Sequence, residues 1–346
     1  MYLCARSDHL SVGGKRLPHA HTGEDTMPAS DQLNRGSRCR VDTVATPAHE
    51  EDFITYTAGG KKSGHGTRVW LWAPEYAMEP MADWRPVQDP PVIALLDTEI
   101  HDHSGLPAPA AGTPFLLPAP GYDLPDVTAP PAPDRVEFGR FWGHGTFIAG
   151  LIRRHAPGAQ VLSLPVMDQH GEVDENRVLA ALRWLTRYQA REHRRMVVLM
   201  AFGREAATDD PQDDPGLREL AEAIGALASL GVPVVASAGN ERSERPRWPA
   251  AFATDPDLSG SVVSVGASLS PTERAPFSNF GVWVREWRPA ASVVSLMPLA
   301  PEKAPHIDSS NFAYWGGTSF AAAVYAGELA DRLGPDRSLG APGTGH

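Results

Sequence analysis

Short, continuous apolar segments recur along the central part of the chain. They lie at residues 92–96, 161–164, 197–201, 232–238 and 262–265. Apolar runs of this length, without polar alternation, are typical of strands buried on both faces of a parallel sheet. Helical periodicity lies between them, at about residues 174–191 and 216–229. The alternation predicts an α/β fold with a mostly parallel central sheet and helices on both faces, which makes three layers.

The pattern divides the chain into four regions. Residues 1–52 are polar without a persistent period, so we expect a flexible or weakly folded region. Residues 53–90 contain two strand-like segments, at 53–57 and 68–72, which predict a short β-rich extension with a candidate hairpin, followed by a proline-rich linker. Residues 91–333 carry the α/β pattern of the main domain. Residues 334–346 are predicted to be a disordered tail.

Two glycine-containing segments each lead into a predicted helix. Gly143 and Gly145 flank His144 ahead of an apolar run, and Gly317 precedes Thr318, Ser319 and an alanine-rich run. Glycine permits a sharp turn, and alanine favours helix. Ser319 therefore falls at a helix N-terminus, where free N–H groups and the helix dipole favour negative charge. Taken alone, this pattern fits a capping serine equally well.

Polar groups and glycines follow several of the predicted strands. Asp97 ends the first apolar run, Phe202 and Gly203 follow the third, and Gly239 and Asn240 follow the fourth. Because ligand sites in parallel sheets lie at the carboxyl ends of the strands, these residues are candidates for one site.

Composition excludes several classes of protein. The formal net charge of −11 argues against a nucleic-acid-binding protein. No segment has the apolar length of a membrane span. Cys4 and Cys39 are the only cysteines, which excludes a disulfide framework. The first twenty residues lack the apolar segment of a secretory signal, so we expect a cytoplasmic location.

Five motifs, in this order, resemble those of the subtilisin-like serine proteases (subtilases) across residues 90–333. They are the strand ending in Asp97, the segment 143–150 around His144, the strand and turn 235–240 ending in Asn240, the turn 277–281, and the segment 317–321 around Ser319. The order Asp, His, Ser is that of the subtilisins. The resemblance implies a subtilisin-like fold.

The resemblance also implies a serine endopeptidase that cleaves peptide bonds through an acyl-enzyme intermediate. In that mechanism Ser319 is the nucleophile, His144 the general base and Asp97 the group that orients the imidazole. The Asn240 side chain and the Ser319 N–H would stabilise the oxyanion. The implied partner is a peptide or protein substrate, and the resemblance does not give an oligomeric state.

The family alignment assigns substrate binding to two segments. Ala201, Phe202 and Gly203 correspond to the strand edge that pairs with the substrate backbone. Together with Ser237, Ala238 and Gly239, they would flank the pocket for the residue before the scissile bond. Their small size predicts room for an apolar side chain.

Three positions depart from the family pattern. Glu99 replaces a usual glycine near the catalytic Asp, and a carboxylate facing His144 would favour the imidazolium form. Ala323 replaces a helix proline, and Ala201 replaces a serine. Glu99 and Ala201 leave open an alternative, a catalytically silent peptide-binding protein on the same fold. An esterase with the same triad is also left open.

Other polar clusters are given simpler interpretations. The second Gly-His-Gly-Thr sequence, at residues 64–67, precedes a strand-like segment, so we expect His65 to be a turn residue. The acidic residues 209–214 lack the alternating spacing of an EF-hand loop. Many relatives bind calcium, but here we expect a solvated acidic loop, no metal and no other cofactor. Residues 1–90 have a length that suits either a removable propeptide or an integral docked extension.

Overall fold

The computed structural model describes residues 87–106, 114–122, 139–298 and 312–334. It also describes the backbone of three short strands nearer the N-terminus: β1 (Val41–Thr43), β2 (Thr55–Tyr56) and β3 (Val69–Leu71). All of these residues fall within one compact unit, Cys39–His346.

Eleven further strands and four α-helices follow in the described ranges. The strands are β4 (Val92–Asp97), β5 (Leu116–Leu117), β6 (Gln160–Pro165), β7 (Glu172–Val173), β8 (Met196–Met200), β9 (Val234–Ser237), β10 (Val262–Ser270), β11 (Glu273–Arg274), β12 (Glu286–Pro289), β13 (Val293–Leu296) and β14 (Phe312–Trp315). The helices are α1 (His144–His155), α2 (Glu175–Glu192), α3 (Pro215–Ala228) and α4 (Thr318–Arg332). No helix in the described ranges has the length and apolarity needed to cross a bilayer.

The main sheet has the strand order β11-β10-β9-β8-β4-β6-β5, with β12 beside β10. Every pair in it is parallel except β10–β11. All five predicted strands are present in this sheet. The predicted α/β class, a mostly parallel sheet between helical layers, is confirmed.

Strand β4 shows why a continuous apolar sequence is needed at the centre of this sheet. Val92, Ala94 and Leu96 belong to the hydrophobic cluster that includes α2 and α3. Ile93 and Leu95 belong to the opposite cluster, with residues of α1 and α4. Successive side chains of a strand point to opposite faces, so a strand covered on both sides must be apolar at every position.

Helices α2 and α3 begin at aspartate caps. The Asp174 carboxylate accepts from the N–H of Asn176, and the Asp214 carboxylate accepts from the N–H of Leu217. Each cap satisfies a backbone donor that the first helical turn leaves without an intrahelical acceptor. Both helices lie within one residue of their predicted bounds.

The N-terminal extension differs from the predicted hairpin. Strand β2 pairs in parallel with β7, whereas β3 lies between β1 and β14 in an antiparallel sheet with the order β1-β3-β14-β13. Both strand-like segments do form strands, but each pairs with a distant partner. Of the predicted tail, only Gly334 lies within the described residues.

Candidate active site

Strand β4 and helix α1 bring Asp97 and His144 together. Asp97 is the last residue of β4, and His144 is the first residue of α1 after Gly143, whose φ of 77° favours glycine. The Oδ1 atom of Asp97 lies 2.7 Å from Nδ1 of His144, and both side chains are 0% exposed. This contact fixes the imidazole ring and directs Nε2 away from the carboxylate.

Thr98 supports this pair from the next position in the chain. Its backbone N–H donates to Oδ1 of Asp97 at 2.8 Å, and its Oγ1 accepts from the N–H of Gly145 at 2.8 Å. A Cβ atom on Gly145 would lie 2.4 Å from the Thr98 carbonyl oxygen, so only glycine fits this approach. Thr98 thus joins the end of β4 to the start of α1, a role that the sequence interpretation missed.

Aromatic rings surround the His144 imidazole. The ring centroids of Trp315 and Phe320 each lie 5.3 Å from that of His144, and the Phe141 centroid lies 5.7 Å away. Trp315 ends β14 and Phe320 lies in α4, so both elements that flank Ser319 contact the histidine. In an apolar surrounding of this kind, the Asp97–His144 hydrogen bond is stronger than in water.

Ser319 lies in the first turn of α4, as predicted. Helix α4 begins at Thr318 after Gly317, and the Ser319 side chain is 1% exposed. Its hydroxyl donates to the backbone carbonyl of Ala201 at 2.9 Å. The nucleophile candidate therefore contacts the segment that was predicted to pair with substrate.

Asn240 is held against the start of the same helix. Its Oδ1 accepts from the Thr318 N–H at 2.8 Å, and the Thr318 hydroxyl accepts from the Gly239 N–H at 3.0 Å. Because an N–H group is always a donor, the oxygen of the Asn240 amide must face Thr318, and the NH₂ group points elsewhere. This orientation leaves the amide donor available beside the first turn of α4.

The predicted turn at 277–281 holds the segment around Asn240 in place through Asn279. Its Nδ2 donates to the Ala238 carbonyl at 3.0 Å, and its Oδ1 accepts from the N–H groups of Glu241 and Ser243 at 2.9 Å each. Asn279 is fully buried. One side chain therefore fixes the backbone on both sides of Asn240.

The two predicted substrate segments leave adjacent parallel strands at the same end. Strands β8 and β9 are paired, with Met200 opposite Ala236, so residues 201–203 and 237–239 emerge side by side. The side chain of Phe202 packs into the core with residues of α2 and α3, and the residue is 1% exposed. Arg247 reaches from the first segment towards the second and donates to the Gly203 carbonyl at 2.9 Å, so a polar group borders the space that was expected to be apolar.

The charge of Glu99 acts on a second histidine, His101. Burial lowers the pKa of His101, and the charges of Glu99 and Asp102 oppose that shift. The His101 ring is stacked on Trp142 with centroids 4.0 Å apart, and the backbone N–H of His101 donates to the Thr146 hydroxyl. Ala323, which replaces the helix proline of the family pattern, is buried within an uninterrupted helix α4.

The acidic residues 209–214 are only partly the solvated loop that was expected. Asp209, Asp210 and Asp213 are exposed, but Asp214 is buried and forms a two-point ion pair with Arg204, with contacts of 2.6 and 3.1 Å. Glu175 binds the same guanidinium at 2.8 Å. Within the described ranges no three His, Cys, Asp or Glu side chains are arranged to hold a metal ion.

Comparison with known proteins places this arrangement in a family. The model of the subtilase family (Peptidase_S8) matches residues 89–333, which covers all four helices and the whole main sheet. The chain belongs to the subtilase family. The resemblance inferred from the five motifs is therefore confirmed.

Among the curated relatives, the "Extracellular serine proteinase" of Thermus sp. (strain Rt41A) is 29% identical over 157 residues, 44% of this chain and 34% of that protein. The "Minor extracellular protease Epr" of Bacillus subtilis (strain 168) is 28% identical over 213 residues, 59% of this chain and 27% of that protein. The subtilase chain thus matches about a third or less of the length of these relatives.

Solved structures agree on the fold. A cold-adapted subtilisin-like serine proteinase aligns with a TM-score of 0.50 and 20% identity, over 74% of this chain and 81% of that one.

The names of the relatives contradict the predicted cytoplasmic location, because those that state a location say extracellular. That prediction was wrong: it rested only on a missing apolar segment, which does not determine where a protein acts. The same names describe proteases and proteinases, so they give no support to the silent peptide-binding alternative.

Proposed function

We propose that this subtilase is a serine endopeptidase with Asp97, His144 and Ser319 as its catalytic triad. The observation that carries the proposal is the buried 2.7 Å contact between Asp97 Oδ1 and His144 Nδ1. It holds the imidazole in the tautomer that leaves Nε2 as the proton acceptor. The fold family and the names of the relatives support the serine protease class.

In the proposed reaction, Ser319 Oγ attacks the carbonyl carbon of the scissile bond and its proton passes to Nε2 of His144. The imidazolium returns this proton to the leaving amine nitrogen as the C–N bond breaks. A water molecule then attacks the acyl-serine ester, again giving its proton to His144. Ser319 regains that proton when the carboxylic acid leaves. Asp97 stays ionised throughout and stabilises the imidazolium.

Two donors serve the negative oxygen of each tetrahedral intermediate. The Asn240 NH₂ group is turned away from Thr318, because its oxygen accepts the Thr318 N–H. The Ser319 N–H lies in the first turn of α4, where the helix dipole also favours an anion. Donors that are already oriented before reaction stabilise charge without a reorganisation cost.

The proposed substrate is a peptide or protein whose backbone adds to residues 201–203 as an extended strand. The Ala201 carbonyl accepts a hydrogen bond from the Ser319 hydroxyl. A substrate N–H at this edge would supply another donor to that carbonyl. This places the backbone of the substrate next to the nucleophile.

The test is labelling of the full chain with a fluorophosphonate, followed by mapping of the labelled residue and by assay of matched peptide and ester substrates. We expect labelling at Ser319 and turnover of both substrates. Ser319→Ala should abolish both activities, whereas Ser229→Ala, at an exposed serine after α3, should change neither. Turnover of the ester alone would indicate an esterase. A folded protein without labelling or turnover would contradict the proposed triad.

A further inference from the structure

Three backbone segments enclose the space next to Ser319 where the residue before the scissile bond would bind. Residues 201–203 and 237–239 form two sides. The third side is formed by Arg247 and Trp248, because Arg204 and Trp248 exchange backbone hydrogen bonds of 2.9 and 2.8 Å. We call this space the specificity pocket.

The side chain of Arg247 crosses the specificity pocket from one wall to the other. Its Cβ lies near Gly203, at 3.7 Å from where a Cβ atom on that glycine would stand. Its Cδ lies 2.9 Å from the corresponding Cβ position on Gly239. The guanidinium then returns to the first wall, where Nη2 donates to the Gly203 carbonyl at 2.9 Å. Arg247 is only 2% exposed, so its side chain is held in place between these walls, and we call it the floor of the pocket.

The charge of this floor is balanced by carboxylates. Nη1 of Arg247 lies 3.3 Å from Oε1 of Glu241 and 3.7 Å from Oε1 of Glu205. Glu241 directly follows Asn240 and is itself held by Asn279. The floor therefore presents a buried cation and a partly buried anion side by side.

One donor on this floor has no acceptor. The Nε–H of Arg247 is buried, and among the residues that the structure describes it makes no hydrogen bond. Cδ, which is bonded to Nε, lies against the Gly239 wall. A buried donor of this kind is costly to leave unsatisfied, which favours a ligand that supplies an acceptor.

We propose that Arg247 is a specificity-determining residue that selects a carboxamide side chain, Asn or Gln, before the scissile bond. This inference rests on the proposed protease function. A carboxamide oxygen accepts from Nε–H of Arg247, and its NH₂ group donates to the Glu241 carboxylate. One neutral side chain then supplies the acceptor for Nε–H without adding a charge to the floor.

Other side chains fit this floor less well. An aliphatic or aromatic side chain would cover the Nε–H of Arg247 without offering it an acceptor. A large aromatic ring would also clash with the Arg247 side chain. A carboxylate adds a third anion beside Glu241 and Glu205, and an ammonium group adds a second cation beside Arg247, so each brings a like charge close to a charge of the floor. Sites built to hydrogen-bond a substrate strongly reject analogues that lack the group.

The test uses a series of internally quenched peptides that differ only at this position, with Asn, Gln, Asp, Arg, Ala, Leu or Phe. We expect the wild-type kcat/KM for Asn or Gln to exceed that for Leu and Phe by at least about tenfold. A wild-type preference for Leu or Phe, in a protein labelled at Ser319, overturns this inference and leaves the protease function standing. Absence of labelling and of all cleavage overturns both.

Substitutions test whether the charged groups of the floor determine the side-chain preference. Arg247→Leu combined with Glu241→Gln removes both charges together and avoids an unpaired buried carboxylate. We expect this double variant to shift the ratio of Asn to Leu turnover towards Leu by about tenfold or more while Ser319 is still labelled. Arg183→Leu, an exposed arginine of α2 paired with Glu219, is the matched control and should keep the wild-type ratio. An unchanged ratio in the labelled double variant contradicts the role of Arg247.

Discussion

The hydroxyl of Ser319 donates to the carbonyl of Ala201 at 2.9 Å, across 118 positions of the chain. A hydroxyl donates one proton at a time, so transfer of that proton to His144 requires this hydrogen bond to be exchanged for one to the imidazole. Both residues are almost completely buried. The resting structure thus ties the nucleophile candidate to the strand edge at which a substrate would bind.

Replacing Asp97 by Asn should slow turnover without unfolding the protein. The amide has nearly the same shape, but it can donate to Nδ1 of His144 and so favours the wrong tautomer. We expect kcat to fall by roughly 10⁴-fold with KM little changed. Steady-state kinetics on one peptide substrate would measure this, with circular dichroism to verify the fold. A loss of less than tenfold would show that the 2.7 Å contact does not control the base.

Asn240 offers a matched pair of substitutions. In Asn240→Asp the oxygen that accepts from the Thr318 N–H is kept and the amide donor is lost, whereas Asn240→Ala removes both. We expect kcat to fall by about 10²–10³-fold in both variants, because both lack the donor to the oxyanion. Only Asn240→Ala should also lower the melting temperature clearly.

One result for the two Asn240 variants would contradict a catalytic role of the amide. If Asn240→Asp retained wild-type kcat, the amide donor would not contribute to the transition state. The structural role of Asn240 at the start of α4 would then be its only role.

Thr98 is expected to act as a positioning residue. Thr98→Val is close in shape but leaves the buried Gly145 N–H without its acceptor, at a cost of about 1–3 kcal/mol in the free energy of unfolding. Since the same contact sets the start of α1, kcat should fall as well. Urea unfolding and kinetics would measure the two effects.

Thr98→Ser supplies the control, because it restores the oxygen and omits only a methyl group. It should recover most of the stability and of kcat. If Ser and Val behaved alike, packing of the methyl group rather than the hydrogen bond would explain the position.

The free energy of unfolding should depend on pH through the ionisation of Asp214. Hydrogen bonds from Arg204 lower its pKa below the usual range; burial opposes this, and the N–H groups of Ala207 and Leu217 add to the lowering. The folded state therefore binds protons less readily than the unfolded state. The stabilisation is complete above the ordinary aspartate pKa of about 4 and is lost as the pH falls towards the lower folded value.

Unfolding in urea between pH 7 and pH 3 would test this in the wild type and in Asp214→Asn. At pH 7 the free energy of unfolding should be larger for the wild type than for Asp214→Asn. This difference should shrink below about pH 4. Asp209→Asn, at an exposed position of the same loop, should follow the wild type throughout. An advantage that stays constant down to pH 3 would contradict the lowered pKa.

Much of the architecture follows from local sequence. The central strands could be predicted because a strand covered on both faces is apolar at every position, as β4 shows. The positions of His144 and Ser319 at helix starts follow from the glycines before them. In each case the determining residues are neighbours in the chain.

The remaining features depend on contacts between distant segments. Arg247 lies in a polar stretch without periodicity, and its place in the pocket is set by the pairing of Arg204 with Trp248. The roles of Thr98 and Asn279 depend on partners 47 and 41 positions away. The predicted hairpin failed for the same reason, because β2 and β3 find partners far along the chain.

Helix α4 is the last described element in chain order, and it supplies Ser319 and the N–H that orients Asn240. A ribosome therefore completes Asp97, His144 and both predicted substrate segments well before Ser319, the proposed nucleophile. The proposed triad is complete only once α4 packs with α1 against one face of the main sheet. Under the proposed function, a growing chain is in this way protected from its own proteolytic activity during synthesis.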